Sequence, residues 1–537
     1  MLFNSFAYLL VYLPLGLAGF FWLGRFGETW ALTWLLLASL VFYAWWNPFY
    51  VLLLLASIGV NFGFGRAIQR TAGLPRGALL TTGIGLNLLV LGYYKYAGFL
   101  LGLAGLHVDV AGVVLPLGIS FFTFTQISYL IDCSRGVVKQ SHPLHYALFV
   151  TYFPHLVAGP IIAYPEMIAQ FRDRRILTVD WRNMAGGLSL LTVGLSKKVL
   201  LADQFATWAD PAFSAVSAGT SLTPIEAYAG AIAFMLQIYF DFSAYCDLAL
   251  GASAMFGVLL PLNFNSPFKA VNMIDFWQRW NMTLTRFLIG YLYRPMTAYL
   301  ARARASKGKV AGAGDLLRDP LGFLTLIVLP TMATMLIAGL WHGAGVQYLL
   351  FGLIFGLFLV INQTWRRLKR AAPRLKAGLA DFDSWAGRPL TMVGLLVGFV
   401  AFRATSLAGF ASMLSSMIDL DGLRLAPSWI TRLGVLAGPL SVLSFAEARP
   451  FQVRLVELAG LAAGVAIVWL APNPYQLMRG HPLHLGVPVQ PWRAPFGLPG
   501  SVAWTPVRAW AAVIAVLGVA ALLAMGGHVV QFVYFRF

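Results

Sequence analysis

Charged residues are scarce in this sequence, and acidic residues are the scarcest of them. Only 11% of the 537 residues are Asp, Glu, Lys or Arg, whereas an ordinary soluble domain has about 25%. This scarcity, with 59% apolar residues and a mean hydropathy of +0.75, excludes a soluble enzyme, a disordered chain and a collagen-like fibre. Cysteine is almost absent as well. Cys133 and Cys246 are too few for a disulfide framework or a cysteine-rich metal site.

What the sequence does contain is a series of uncharged apolar runs, and a spanning helix needs about 20 such residues. Candidate spans lie at 6–23, 29–65 (two helices with a turn at 47–48), 77–94, 110–131, 146–165, 184–202, 227–259, 321–365, 389–408, 456–471 and 509–533. No polar segment is long enough for a separate soluble domain of typical size. We therefore predict one integral-membrane domain over 1–537. Its fold is predicted to be all-α and polytopic, with about eleven or twelve transmembrane helices plus re-entrant or interfacial helices.

The positive charge is confined to a few loops. Lys and Arg number 38 against 20 Asp and Glu, which gives a formal net charge of +18. In a soluble chain this excess would suggest a nucleic-acid partner, but charges that cluster between apolar runs are typical of positive-inside topology. We predict membrane lipids as partners and no nucleic acid. The basic loops, predicted to be cytoplasmic, lie at 66–76, 269–318 and 366–388. The second lies in a longer interruption at 262–320, which is predicted to be a cytoplasmic or interfacial insertion with a basic linker.

The run at 321–365 contains the most informative residue. As one helix it would be roughly 68 Å long, more than twice the thickness of the bilayer core. It must therefore break, and the glycines at 339, 343 and 345 mark the place. His342 lies at this break, which is deep in the bilayer or near its far side because both flanks are predicted to be cytoplasmic. A polar residue at that depth is a functional candidate, although a histidine can also simply hydrogen-bond across a helix interface.

Two other polar sites interrupt apolar sequence. His155 lies between Pro154 and Pro160, which indicates a broken or re-entrant helix, and it is either a substrate contact or a structural histidine in a turn. Asp241 and Asp247 lie within or beside an apolar run, where acidic groups are costly unless they are paired or hydrated. They could serve proton-coupled transport, orient a histidine or cap a broken helix.

The remaining histidines give no site. The string HPLH occurs twice, with His142 and His145 in one copy and His481 and His484 in the other. Neither pair has Cys, Asp or Glu at ligand spacing, so no metal site is predicted. His528, in the last apolar run, is predicted to be structural.

Two arginines lie among aromatic residues on the predicted cytoplasmic side, in the segment WQRWNMTLTRF at 277–287. Arg279 and Arg286 could hold phosphates in bidentate fashion, as a nucleotide-bearing donor such as coenzyme A would require. The alternative is that they reach the head groups of anionic lipids. Asn281 lies between them and could hydrogen-bond a carbonyl or a backbone group.

Taken together, these segments resemble the membrane-bound O-acyltransferases, in particular the bacterial branch of alginate O-acetylation membrane proteins. The resemblance rests on short motifs in order along the whole chain: MLFNSF at 1–6, FYAWWN at 42–47, PLGISFFTF at 116–124, YFPHLVAGP at 152–160, DFSAY at 241–245, NFNSPF at 263–268, FWQRW at 276–280, LWHG at 340–343, FRA at 402–404, PNP at 472–474 and FRF at 535–537. Any one of these is weak, but all of them in order are specific.

The resemblance implies eleven or more helices around a central funnel, with the family's catalytic histidine at His342 as general base. It implies that acetyl-CoA or another acyl-CoA, a donor substrate and not a resident cofactor, enters from the cytoplasm, and a hydroxyl acceptor from the other side. Asn281 would be the second catalytic residue. The predicted substrate contacts are His155, Trp341, Asp241, Arg279 and Arg286. This chain departs from the family in having Asn281 where the alginate branch usually has His, and YLYRP at 291–295 in place of YLYIP.

Two functions follow as hypotheses. In the first, the chain is an O-acyltransferase of the bacterial inner membrane that transfers acetyl to hydroxyls of an exported polysaccharide, directly or through a periplasmic O-acetylation partner protein; a lipid or protein acceptor is a variant of it. In the second, it is a transporter or flippase for a polysaccharide or lipid-linked intermediate, with His342, His155 and Asp241 along a polar pathway.

Overall fold

The computed structural model describes residues 1–106, 114–308, 319–371, 380–419, 453–486, 489–492, 503–526 and 530–533. In these ranges the chain is helical, and its only β-type pairing is one isolated bridge between Pro261 and Leu485. Eight helices are long and apolar enough to cross a membrane, and four shorter apolar helices accompany them. The all-α, polytopic prediction is confirmed. His528 and the FRF motif at 535–537 lie outside the described residues.

In chain order the helices are α1 (Ala7–Gly24), α2 (Glu28–Ala44), α3 (Phe49–Arg70), α4 (Gly73–Leu103), α5 (Ile119–Ser134), α6 (Pro143–Thr151), α7 (Phe153–Leu156), α8 (Tyr164–Phe171), α9 (Trp181–Ser217), α10 (Pro224–Met255), α11 (Met273–Trp277), α12 (282–305), α13 (Pro320–His342), α14 (Val346–Ala371), α15 (Ala380–Arg403), α16 (Leu407–Ile418), α17 (Leu455–Leu470), α18 (Pro474–Leu477) and α19 (Arg508–Ala524). Helices α1, α4, α9, α12 and α13 each contain a π-helical turn.

Several helix boundaries match the sequence-based predictions. The turn between α2 and α3 falls at 45–48, and the break between α13 and α14 falls at 343–345. The predicted interruption around His155 is also present, because α6 ends at Thr151 and only the single turn of α7 follows.

Two predicted spans were wrong in extent. The span predicted at 110–131 begins only at Ile119, since Pro116 precedes it and Gly118 has a left-handed backbone with φ of 73°. The span predicted at 184–202 continues to Ser217 as α9. The charged side chains of Lys197 and Lys198 do not end this helix, because both form ion pairs inside the protein.

The first half of the 262–320 insertion lies inside the protein. Phe264 and Trp280 are buried and pack edge to face, with ring centroids 5.0 Å apart. Trp280 also contacts Phe399 of α15, at 5.2 Å. This segment therefore enters the helix bundle instead of lying on its surface. The basic linker at 309–318 lies outside the described residues.

The core is organised around α10, whose residues are almost all buried and which packs along α9. The hairpin of α13 and α14 packs beside it through glycines. A methyl group on Gly339 would collide with the carbonyl oxygen of Tyr348, and one on Gly352 with the carbonyl oxygen of Met335. Small residues of this kind let two membrane helices approach closely. The close approach fixes the end of α13, where His342 lies.

The two ends of the bundle differ in charge. Arg66, Arg70 and Arg76 lie at the turn between α3 and α4, and the C-terminal part of α14 contains Arg366 and Arg370. By the Lys/Arg rule this basic end is the predicted cytoplasmic end. The turn between α2 and α3 and the break after α13 lie at the opposite end, which we call the far side.

Candidate functional site

His342 is the last residue of α13, and the extended backbone of Gly343, with φ of −170°, separates it from α14. The helix has 23 residues and is about 34 Å long at 1.5 Å per residue, so that His342 lies near the far boundary of the bilayer. The imidazole is buried and packs edge to face against Phe351 and Phe402, at centroid distances of 5.5 and 5.3 Å. The break predicted from the sequence is confirmed, and the histidine is held at it by aromatic contacts.

A cavity of 460 Å³ opens beside this histidine, and we call it the far-side cavity. Its wall includes His342, Trp341 and Lys95, and its rim includes Trp45 and Trp46 at the turn between α2 and α3. The other lining residues come from distant parts of the chain: Met1, Leu2, Ser5, Ala7, Leu115, Pro116, Leu117, Gly118, Ile119, Ser120, Phe121, Val157 and Gln531. His342 is thus next to a space large enough for a small polar substrate.

A second cavity of 740 Å³ lies towards the predicted cytoplasmic end, and we call it the Arg-lined cavity. Three of its lining residues are Arg135, Arg286 and Arg294, and it reaches inward as far as Thr283 and Phe287. Helix α5 connects the two cavities, since Phe121 near its start lines the far-side cavity and Ser128, two turns later, lines the Arg-lined cavity.

Three stacked rings connect the linings of the two cavities. Phe287 stacks on Phe124 with a centroid distance of 4.6 Å and an interplanar angle of 12°. Phe124 in turn stacks on Trp341 at 5.6 Å and 17°. Since Phe287 lines the Arg-lined cavity and Trp341 the far-side cavity, these rings form an aromatic stack that runs from one cavity to the other and ends beside His342.

The two predicted phosphate-binding arginines do not lie in the same surroundings. Arg286 lines the Arg-lined cavity and donates two hydrogen bonds to Glu166, at 2.9 and 3.0 Å, and one to the carbonyl of Ile161, at 3.2 Å. Arg279 is not among the lining residues of that cavity and pairs with Asp275, at 2.7 Å. The geometry places Arg286 where a ligand could reach it.

Asn281 is buried and has a left-handed backbone, with φ of 42°. Asparagine and histidine are among the residues that adopt this conformation most readily, so this backbone suits either residue at this position. The peptide after it is fixed by Asn263, whose carbonyl accepts from the amide of Met282 and whose side-chain oxygen accepts from Thr283. Asn281 therefore lies two residues from the inner end of the Arg-lined cavity, and its catalytic role stays a prediction.

His155 and Asp241 have structural partners. The Nε2 atom of His155 lies 2.8 Å from the carbonyl oxygen of Phe149, which accounts for one ring nitrogen. Asp241 pairs with Lys198 at 2.7 Å and accepts the amide of Val533 at 2.8 Å. Asp247 is likewise paired, with Lys197 at 2.7 Å. The acids in α10 are thus paired, as their cost in an apolar run requires.

Asp241 contributes indirectly to the wall of the far-side cavity, through its partner Lys198. Lys198 also donates a hydrogen bond to the carbonyl of Gln531, at 3.2 Å, and Gln531 lines that cavity. Asn4 donates to the carbonyl of Val530, at 3.0 Å. The segment 530–533 is therefore held in place by a buried ion pair and by the first residues of the chain.

Two other histidines in the described part of the chain have side-chain partners as well. His145 lies 3.3 Å from Glu28, and His481 lies 2.9 Å from Asn183. Burial lowers the pKa of both His481 and His484. In the part of the chain that the structure describes, no three His, Cys, Asp or Glu residues gather as a metal site would require.

Lys95 is a site residue that the sequence reasoning did not identify. It lies in GYYKYAGF at 92–99, within α4, and its ammonium group lies 3.4 Å from the carbonyl oxygen of His342. The signal that could have revealed it is a single lysine within an otherwise uncharged stretch, since intramembrane charges are usually functional.

Comparison with known proteins connects this site to a family. The model of the membrane-bound O-acyltransferase family matches residues 86–312, a range that contains Lys95, Asn281 and Arg286 and ends before His342. The peptidoglycan O-acetyltransferase of Helicobacter pylori is 35% identical over 461 residues, which cover 79% of this chain and 81% of the relative. The probable alginate O-acetylase of Pseudomonas aeruginosa is 34% identical over 84% of this chain and 82% of its own length. A teichoic acid D-alanyltransferase of Streptococcus thermophilus is 25% identical over 53% of this chain and 68% of the relative.

Proposed function

Because the chain belongs to the membrane-bound O-acyltransferase family and is a multi-pass membrane O-acyltransferase, we propose that it transfers acetyl groups to an exported polysaccharide. The donor is acetyl-CoA from the cytoplasm, the enzyme lies in the bacterial inner membrane, and the acceptor hydroxyl is on the far side. The acetyl group reaches the polymer directly or through a periplasmic partner protein. The relatives named for peptidoglycan and alginate support a polysaccharide acceptor.

The observation that carries this proposal is the pair of cavities whose linings are joined by the aromatic stack, with His342 at its far end. A transfer across a membrane requires a cytoplasmic thioester and an external hydroxyl to approach within about 3–3.5 Å of each other while water is excluded. The far-side cavity offers the hydroxyl a place beside His342. The Arg-lined cavity offers the donor a cationic entrance. The relatives named as a peptidoglycan O-acetyltransferase and as alginate O-acetylases favour an enzyme over the transporter hypothesis.

The proposed chemistry uses His342 as general base. Its imidazole accepts the proton of the acceptor hydroxyl while the oxygen attacks the thioester carbonyl, and a C–O bond forms. The C–S bond then breaks, and the coenzyme A sulfur leaves with the proton that His342 returns. The amide of Asn281 donates a hydrogen bond to the donor carbonyl, where negative charge develops. General base catalysis of this kind contributes about 10²–10⁴ to the rate.

The Arg-lined cavity is the proposed binding site for the phosphates of the donor. Glu166 holds the Arg286 guanidinium in a bidentate pair, and both side chains are partly exposed, at 39% and 47%. A phosphate can therefore replace Glu166 without a buried charge being left unpaired.

Arg286→Gln is expected to raise the KM for acetyl-CoA about tenfold, because one charge-assisted bidentate contact is lost. The kcat is expected to change little, since the phosphates are remote from the reacting carbonyl. Kinetics of the purified enzyme in detergent measure both values. Arg175→Gln is the matched control, because Arg175 also pairs with a carboxylate, that of Asp173, but at an exposed site. An unchanged KM in Arg286→Gln would place the coenzyme elsewhere.

The proposed function is tested by the ester-linked acetyl content of the extracellular polysaccharide. We expect a strain in which the gene is deleted to lose this acetyl, and a plasmid copy of the gene to restore it. Full acetylation in the deletion strain would contradict a polysaccharide acceptor and leave a lipid or protein acceptor. Purified enzyme supplied with acetyl-CoA and an oligosaccharide then separates direct transfer, which yields an ester, from transfer that needs the partner protein.

A further inference from the structure

The helix that presents His342 ends without a helix cap of its own. The last four carbonyl groups of an α-helix have no partner within the helix, and a bilayer supplies little water for them. Many helices solve this with a glycine in the left-handed conformation, but Gly343 is extended here. The carbonyls at the end of α13 must therefore be satisfied from another part of the chain.

Two consecutive side chains of α4 supply these hydrogen bonds. The hydroxyl of Tyr96 donates to the carbonyl of Leu340, at 2.6 Å. The ammonium group of Lys95 donates to the carbonyl of Trp341 at 2.5 Å, and the carbonyl of His342 lies 3.4 Å from it. The same ammonium group also donates to the hydroxyl of Ser120 on α5, at 3.1 Å. Lys95 thus joins α13 to α5 on the wall of the far-side cavity.

One of the five π-helical turns of the described helices lies at this point of α4. Residues Gly92–Tyr96 form a π-helical turn inside the helix. Such π-bulges are rare in α-helices and occur frequently at functional sites. A cation at a helix C-terminus also compensates the negative end of the helix dipole.

We propose that Lys95, assisted by Tyr96, is a positioning residue for acyl transfer, which holds the end of α13 so that His342 meets the acceptor in the far-side cavity. This inference rests on the proposed function, in which His342 is the base. Lys95 does not contact the reacting carbonyl in this proposal. It acts through the backbone of Trp341 and His342. Without this contact, the flexible backbone at Gly343 and Gly345 would allow the end of α13 to shift.

The test compares purified variants in detergent with acetyl-CoA as donor. Lys95→Met removes the charge and keeps the length of the side chain, whereas Lys95→Arg keeps the charge. We expect Lys95→Met to lower kcat by about 10- to 100-fold, since a misplacement of about 1 Å can cost that much. The KM for acetyl-CoA should stay within about twofold, because the donor binds at the other end. Lys95→Arg should recover most of kcat.

Arg76→Met is the matched control. Arg76 donates to the carbonyl of Thr71, at 2.7 Å, and so caps the C-terminus of α3 with a cation at the cytoplasmic end. Its loss should reduce stability without lowering kcat. An equal fall of kcat in Arg76→Met and Lys95→Met, or a normal kcat in Lys95→Met, would overturn the proposal. If Lys95→Met does not fold, Tyr96→Phe removes a single hydroxyl from the same cap, and a normal kcat there would equally overturn it.

His342→Ala is measured in parallel so that the two ideas fail separately. An active His342→Ala would overturn the role of His342 as base, and the inference about Lys95 with it. An inactive His342→Ala together with a fully active Lys95→Met would overturn only the inference. If wild-type protein does not use acetyl-CoA, the donor proposal fails, and the same variants are compared through the acetyl ester content of cells at equal membrane levels.

Discussion

His342→Gln is expected to lower the rate of acyl transfer by about 10²–10⁴, because the substituted side chain cannot accept the proton of the acceptor hydroxyl. Glutamine keeps much of the volume that His342 fills between Phe351 and Phe402. The protein should therefore fold and reach the membrane at the wild-type level. The fall should appear in kcat, with little change in the KM for acetyl-CoA, since the imidazole acts on the acceptor.

The measurement combines two assays on the same variant. Purified protein gives kcat and KM, and the extracellular polysaccharide gives the ester-linked acetyl produced by cells. His481→Gln is the matched control. His481 is a partly buried histidine that is hydrogen-bonded to Asn183, and it does not line the far-side cavity. A variant of His342 that retains more than about one tenth of the wild-type kcat would contradict general base catalysis by this residue.

The sequence was sufficient to place His342 because that inference depended on length and local composition. A run at 321–365 cannot cross the bilayer once without a break, and glycines show where the break falls. The family resemblance pointed to the same residue. The left-handed backbone of Asn281 is also a local property, although the sequence did not reveal it.

The sequence was not sufficient for features that join distant segments. The far-side cavity combines residues near 1–7, 45–46, 115–121, 341–342 and 531. Lys95 lies 246 residues from Trp341, the carbonyl of which it caps. Periodicity and composition report on neighbours along a helix and not on such pairs. In the same way, the sequence indicated that acids in α10 must be paired but gave no partner, because Lys198 lies 43 residues from Asp241 along the chain.

The ion pair of Asp241 and Lys198 gives the second large expected effect, and this effect is on stability. The two side chains are almost completely buried, at 2% and 1% exposed, and their charged atoms are 2.7 Å apart. Asp241→Ala is expected to destabilise the protein by about 3 kcal/mol, because a buried ammonium group loses one of its two carboxylate partners and keeps only Asp203, at 2.8 Å. The amide of Val533 also loses its acceptor, so that the segment behind the far-side cavity is released and acyl transfer falls with it.

Thermal unfolding of the purified protein measures this effect, and two other variants separate its causes. Asp210→Ala breaks a comparable pair with Arg403, at 2.9 Å, in which both side chains are partly exposed, so its cost should be at most about 1 kcal/mol. The double variant Asp241→Ala with Lys198→Met removes the lysine charge that Asp203 alone would otherwise compensate. It should recover part of the lost stability, since Asp203 is 19% exposed and can be hydrated. A double variant less stable than Asp241→Ala alone would contradict the view that the incompletely compensated lysine is the main cost. If Asp241→Ala is as stable as the wild type, the buried pair does not hold the 530–533 segment in place.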